Sequence, residues 1–164
     1  MKYLVCVDGS AEARKALSKA ITMVSTEDSM YFLNVYPPLP SENGICPSSN
    51  CTLTKMVIEM FSGVPDLVDE DDPIKQQKKS NKKKSLALKE FNFIKSQQIN
   101  EKCNVHYLLV ASPDISDTIT KIAEHYCVDA IVMGCRGLGL QKLLIGSISS
   151  QVLQMSNCSV LIVR

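Results

Sequence analysis

Apolar runs of strand length alternate along this chain with stretches whose apolar residues recur at helical spacing. That alternation restricts it to βαβ units around a mostly parallel sheet. Five strands are predicted: Lys2 to Val7, Met30 to Tyr36, Asn104 to Val110, Ala130 to Met133 and Val160 to Val163. All are dense in Val, Ile, Leu and Tyr, as strands covered on both faces are. The first helix is expected over Ala11 to Val24, behind Ser10 as N-cap, with Ala13, Leu17, Ala20, Ile21 and Val24 inward. A second is expected from about Ser85 to Ile99, turning Leu86, Phe91 or Phe93, and Ile94 inward. Asp114 to Tyr126 repeats the sign with Ile115, Ile119, Ile122, Ala123 and Tyr126. The last helix runs from Gly146 or Ser147 to Met155, burying Ile148, Val152 and Met155. Right-handed crossovers make such a sheet doubly wound, and its ligands bind beyond the carboxyl ends of the strands at the switch point.

Within this frame the stretch AIVMGCRGLGLQKLLIGSISS, from Ala130 to Ser150, carries chemistry. A strand enters a glycine-rich loop, and a Gly-Ser opens the helix that follows. Gly134, Gly137, Gly139 and Gly146 lack Cβ atoms, so the backbone is free to take positive φ and to bring its N–H groups close to anionic oxygens. Ser147 and Ser149 add hydroxyl donors, and a helix start near Gly146 supplies unpaired amides with a partial positive charge. The lysine of a Walker-type loop is absent, as is a nucleophile beside a base, so no catalytic residue is assigned.

The pattern Met133-Gly134-x-x-Gly137, then Gly146-Ser147-x-Ser149, closely resembles the nucleotide loop of the universal stress proteins, with eight spacer residues where the family pattern has nine. Val-Asp-Gly-Ser after the first strand, with Asp8 closing it, fits the same family, as does the Asn157 to Val163 ending. The resemblance implies a doubly wound, Rossmann-like α/β fold of the adenine-nucleotide hydrolase type. It implies a five-stranded parallel sheet in the order 3-2-1-4-5 with helices on both faces. The chain then forms a single domain, 1–164, with an inserted variable loop at about 38–82. The resemblance also implies ATP as ligand, AMP or ADP as shorter forms, and Mg2+ with ATP, for which Asp8 or Ser147 are candidate contacts. Val35 and Met133 are then walls for adenine, Asp8 accepts from adenosine and Gly134 lies against the ribose. Gly137, Gly146, Ser147, Ile148 through its N–H, and Ser149 hold the phosphates, with Arg136 and Lys142 as cations within reach. Asp8 equally suits a turn before the first helix, and Val35 and Met133 suit any α/β core.

Composition excludes several other classes. A net charge of +1 gives no general field for nucleic acid or acidic membranes, and there is no tryptophan for a stacking surface. No apolar run reaches the roughly 20 residues of a membrane span. Seven scattered cysteines without a Cys-x-x-Cys pair, and the isolated His106 and His125, fit reduced intracellular thiols better than disulfides or zinc. A cytoplasmic location is therefore expected, ahead of a nuclear one.

Between the second and third predicted strands the composition changes. Pro37, Pro38 and Pro40 end the strand, and Ser41 to Thr54 is polar and turn-rich. Leu53, Met56, Val57, Met60 and Phe61 then suit a short amphipathic helix covering a sheet edge or offering a docking surface. Acidic residues from Asp66 to Asp72 precede a lysine-rich block, Lys75 to Lys84, expected to be solvated and mobile. The function expected is that of an ATP-binding regulatory or sensor module, with at most slow hydrolysis, dimeric through the apolar last strand. Its rivals are a nucleotide-free interaction scaffold and a slow adenine-nucleotide hydrolase.

Overall fold

The computed structural model describes residues 1–36, 57–61, 77–97, 99, 103–135 and 145–164, with 57–61 and 77–84 described by backbone alone. In chain order the elements are β1 (Lys2–Cys6), α1 (Ala11–Met23), β2 (Ser29–Tyr36), β3 (Val57–Phe61), α2 (Gln77–Lys95), β4 (Asn104–Ala111), α3 (Ile115–His125), β5 (Ala130–Gly134), α4 (Ser147–Met155) and β6 (Ser159–Val163). The sheet order is β3-β4-β2-β1-β5-β6. Its five parallel strands, β4, β2, β1, β5 and β6, stand in the expected order 3-2-1-4-5 when counted among themselves.

The sixth strand corrects the reading of its segment. Val57–Phe61 is a strand, antiparallel to β4, with Val57 opposite Ala111 and Phe61 opposite Tyr107. Its apolar spacing fits helix and strand alike over so short a run. The open edge of β4 decides between them, because a strand there pairs the ladder groups that an edge leaves free. An edge-covering role was expected of this segment, but from a helix. Leu53 and Met56 lie outside the described residues. So do the acidic block and Lys75.

Two apolar layers cover the sheet. On one face Ala16, Leu17 and Ala20 of α1 and Ala87, Leu88, Phe91 and Ile94 of α2 pack on Tyr3, Val5, Phe32, Tyr107 and Val132. On the other, Ile119, Ile122 and Ala123 of α3 and Val152 of α4 pack on Leu4, Leu33, Leu108, Ile131 and Met133. Strand alternation explains the division, since neighbours along β1 and β5 point to opposite faces. Ser10 caps α1 by accepting from the Ala13 amide at 3.1 Å, and Asp114 caps α3 by accepting from the Asp117 amide at 3.0 Å.

Helix α2 begins earlier than expected and runs its backbone through the lysine-rich block from Gln77. Lys, Gln, Leu and Ala are good helix formers, and no Gly or Pro interrupts 77–95. Its buried stripe is Ala87, Leu88, Phe91 and Ile94, so Phe91 and not Phe93 faces the core. Leu86 and Phe93, seven residues apart, share the outer side, and Leu86 is 56% exposed. Met155, expected inside, is 45% exposed at the end of α4.

At the N-terminal end of the sheet, Asp28 accepts from the Met1 ammonium and from the Ser25 amide and hydroxyl at 2.8 and 2.9 Å. These bonds, led by that from the ammonium, hold its carboxyl down to about 2. A depressed folded-state pKa contributes stability that is present above the ordinary carboxylate value near ~4 and is lost as pH falls toward ~2.

Two predictions follow from the packing and from this carboxylate. Urea unfolding of Phe91→Ala will show a loss of about 3–5 kcal/mol, against about 0.5 kcal/mol or less for Leu86→Ala. Equal losses would refute the facing of α2. Stability of the wild type will fall more steeply than that of Asp28→Asn between pH ~4 and ~2, and parallel curves would refute the Asp28 assignment.

Candidate functional site

The parallel strands reverse direction of succession at β1, which has β2 on one side and β5 on the other. The crevice beyond their carboxyl ends is the switch point of the fold. The ladder continues one residue past β1, where the Val7 amide donates to the Leu33 carbonyl at 2.9 Å. Asp8 follows, exposed, and its Oδ1 accepts from the Ser10 amide at 2.9 Å. The turn-forming role of Asp8 is therefore real, and it uses one carboxylate oxygen. Gly9 completes the turn with φ +79°, a conformation that costs glycine little.

The apolar residues of the site share one face. Val35 near the end of β2, Cys6 at the end of β1, Met133 on β5 and Ile148 on α4 all belong to the layer under α3 and α4. Met133 is buried, whereas Cys6, Val35 and Ile148 are half-buried. Burial, with the Asp8 charge adding to it, pushes the Cys6 thiol up to about 12, so it stays protonated at neutral pH.

Gly134 ends β5 opposite Val163 of β6. An added Cβ there would stand 2.7 Å from the Glu12 carbonyl carbon and 2.9 Å from the Ala13 nitrogen. Its bare α-carbon is what lets the first turn of α1 sit on the end of β5. Positive φ, expected of the loop glycines, is not the reason at Gly134 or at Gly146, whose φ is −64°.

The start of α4 is held from three directions. The Gly146 amide donates to the Cys135 carbonyl at 2.7 Å, and the Cys135 amide donates to the Val163 carbonyl at 2.7 Å. The buried Ser149 hydroxyl lies 2.9 Å from the Cys135 carbonyl and 3.0 Å from that of Gly146. Having a single proton, that hydroxyl donates to one of these two carbonyls at a time. Ser116 Oγ of α3 lies 2.8 Å from Gln151 Oε1 one turn further along α4. The helical ladder starts with the Ser150 amide bonding to the Gly146 carbonyl at 2.9 Å. The amides of Ser147, Ile148 and Ser149 thus belong to the turn that has no i−4 acceptors inside the helix. With the partial positive charge of the helix start they form an anion-receptive end. Arg136, Gly137, Gly139 and Lys142 lie outside the described residues.

Two residues near the crevice escaped the sequence reading. Asn34, polar within an apolar run, is buried, and its Nδ2 donates to the Val7 carbonyl at 2.7 Å, fixing the exit of β1. Cys6 stands two residues before Asp8, whose charge adds to the burial that raises the Cys6 thiol. A separate cleft of about 170 Å³, lined by Thr120, Ala123, Val128, Ser156 and Cys158, is lined by none of the crevice residues. Among the described residues no His, Cys, Asp and Glu group is arranged to hold a metal ion, and no helix is long and apolar enough to cross a membrane.

Fold and crevice together define a doubly wound α/β protein with a crevice at its switch point. The model of the universal stress protein family matches residues 57–164. The chain belongs to that family. It is 28% identical over 165 residues to universal stress protein YxiE of Bacillus subtilis, covering 99% of this chain and 98% of the relative. The solved structure of hypothetical protein MJ0577 superposes with TM-score 0.72 at 23% identity, over 99% of this chain and 94% of that one. A universal stress protein in complex with cAMP gives TM-score 0.59 at 15% identity, over 100% and 96% of the two chains. A family member from Arabidopsis thaliana with AMP bound gives 0.54 at 16% identity, over 99% and 90%. Identities this low speak for the shared fold.

Gly134→Ala will force the first turn of α1 away from β5 and cost about 1–3 kcal/mol in urea unfolding, as overpacking does. Ser149→Ala will cost about 0.5–1.5 kcal/mol, the loss of one hydroxyl bond to carbonyls that keep their amide donors. Wild-type stability in either variant would refute the role given to that residue.

Proposed function

We propose that the crevice between β1 and β5 holds an adenine nucleotide, ATP in its full form and AMP or ADP as shorter ones. The observation that carries the reading is the convergence of Asp8, the apolar residues Val35 and Met133, and the amide-bearing start of α4 at one switch point. Solved relatives of this fold in complex with cAMP and with AMP support an adenine nucleotide as the anion. In this reading Val35 and Met133 flank the base, and Asp8 accepts from adenosine with the carboxylate oxygen that Ser10 leaves over. Gly134 lies against the ribose. Gly137, Gly146 and the amides of Ser147, Ile148 and Ser149 hold the phosphates, with Arg136 and Lys142 near them and Mg2+ accompanying ATP at Asp8 or Ser147.

In this reading the nucleotide is retained, with at most slow hydrolysis. The module then acts as a regulatory or sensor component of a stress response, as one domain in the cytoplasm. Its second copy pairs through β6. Val160 to Val163 are only partly buried at that sheet edge, and Leu153 and Met155 of the preceding helix are 47% and 45% exposed.

Native mass spectrometry of freshly purified protein, followed by calorimetric titration with ATP, tests the proposal. Retained nucleotide or saturable binding is expected. At Gly146 the backbone conformation suits any residue, so Gly146→Val will keep the fold and weaken binding about a hundredfold because its side chain obstructs the approach of the phosphates to the α4 amides. Empty protein without saturable binding, or unchanged affinity in that variant, would overturn the reading and favour a nucleotide-free scaffold.

A further inference from the structure

On the face opposite the apolar residues of the crevice, α1 and α2 are joined beside the Asp8 turn. Glu90 of α2 is buried, at 6% exposure, yet carries a carboxylate. Arg14 of α1 meets it with two nitrogens, Nε at 3.2 Å from Oε1 and Nη2 at 2.9 Å from Oε2. The same guanidinium lies over the Phe93 ring, 4.6 Å from its centroid. A two-pronged bond of this kind fixes direction as well as distance, and a carboxylate so buried depends on its partner. Exposed ion pairs contribute little, but here one member is buried and the other is stacked on an aromatic ring.

The place of the pair matters more than its strength. Glu90 Oε2 lies 3.6 Å from where a Cβ on Gly9 would stand, so the carboxylate rests against the turn that follows Asp8. Gly9 is the left-handed residue of that turn, and the Ser10 amide is what holds Asp8 Oδ1. Before the turn Asn34 holds the Val7 carbonyl, and after it the first turn of α1 is seated on Gly134. Removal of the clasp would leave Gly9 free on the α2 side alone.

We propose that the Arg14–Glu90 pair is a positioning device for Asp8: it fixes the Asp8–Ser10 turn from the α1–α2 face, so that the carboxylate stays directed to the crevice. The proposal rests on the nucleotide reading for its functional meaning, and on the ligand-free turn for its physical content. Neither residue touches the nucleotide. The long segment before α2 therefore ends in a helix that is coupled to the site through one ion pair.

Glu90→Gln keeps the shape of the side chain and removes its charge, and two measurements on the full chain follow. In the ligand-free protein, hydrogen exchange at the Ser10 amide will quicken about fivefold to tenfold, while the Phe91 and Val132 amides keep wild-type rates. In a thermodynamic cycle with Asp8→Asn, Glu90→Gln will weaken ATP binding about fivefold in the wild-type background and leave it unchanged beside Asp8→Asn. Unchanged Ser10 exchange, or an equal loss of affinity in both backgrounds, would overturn the positioning role. A wild-type protein that binds no ATP would instead refute the nucleotide reading, and the Ser10 exchange would still decide whether the clasp holds the turn.

Discussion

The described elements are arranged around β1. Its residues Leu4 and Val5 are fully buried, one on each face, and its two edges pair in parallel with β2 and β5. A central parallel strand needs both neighbours and both helical layers, and strands beside it must enter and leave by crossovers. The gap between the outgoing connections at its carboxyl end follows from the same requirement. Site and core thus share a cause: the strand that anchors the apolar layers also delivers Asp8 to the crevice.

The crevice is built by backbone contacts more than by side-chain chemistry. Gly134 admits α1 because it has no Cβ, and the Cys135 carbonyl gathers the Gly146 amide and the Ser149 hydroxyl. Both contacts place a helix start at the end of β5. The α1 start is capped by Ser10, whereas α4 has glycine at its N-cap and no side-chain cap bond. An uncapped helix start leaves its first amides without an acceptor inside the helix.

Much of this was legible beforehand, for identifiable reasons. The five parallel strands were apparent because each is a short apolar run bounded by turn residues, and Ser10 was apparent as a cap because a short hydroxyl precedes a helical stripe. Strand order came from the family resemblance, since periodicity is silent about which strands are neighbours. Phe91 and Phe93 were indistinguishable until Ala87, Leu88 and Ile94 set the inner side of α2. Val57–Phe61 reads as helical by its apolar spacing, and the free edge of β4 makes it a strand instead. Asn34 and Glu90 were out of reach because their value lies in partners distant in sequence, the Val7 carbonyl and Arg14. Of the site, Asp8, Val35, Met133, Gly134 and the Gly146 to Ser149 segment come to one end of the sheet. The hydroxyl of Ser149 could not be assigned without the fold, because its acceptors belong to a loop carbonyl fourteen residues away and to the helix start.

In the nucleotide reading proposed above, β1, β5 and the start of α4 form one ligand site. Titration of isotopically labelled protein with ATP, followed amide by amide in nuclear magnetic resonance spectra, tests it most directly. Saturating shifts that share one dissociation constant are expected at Asp8, Gly134, Ser147, Ile148 and Ser149, with the Cys127 and Cys158 amides at rest. Shifts confined to other surfaces, or shifts at the α4 amides that leave Asp8 and Gly134 untouched, would contradict it.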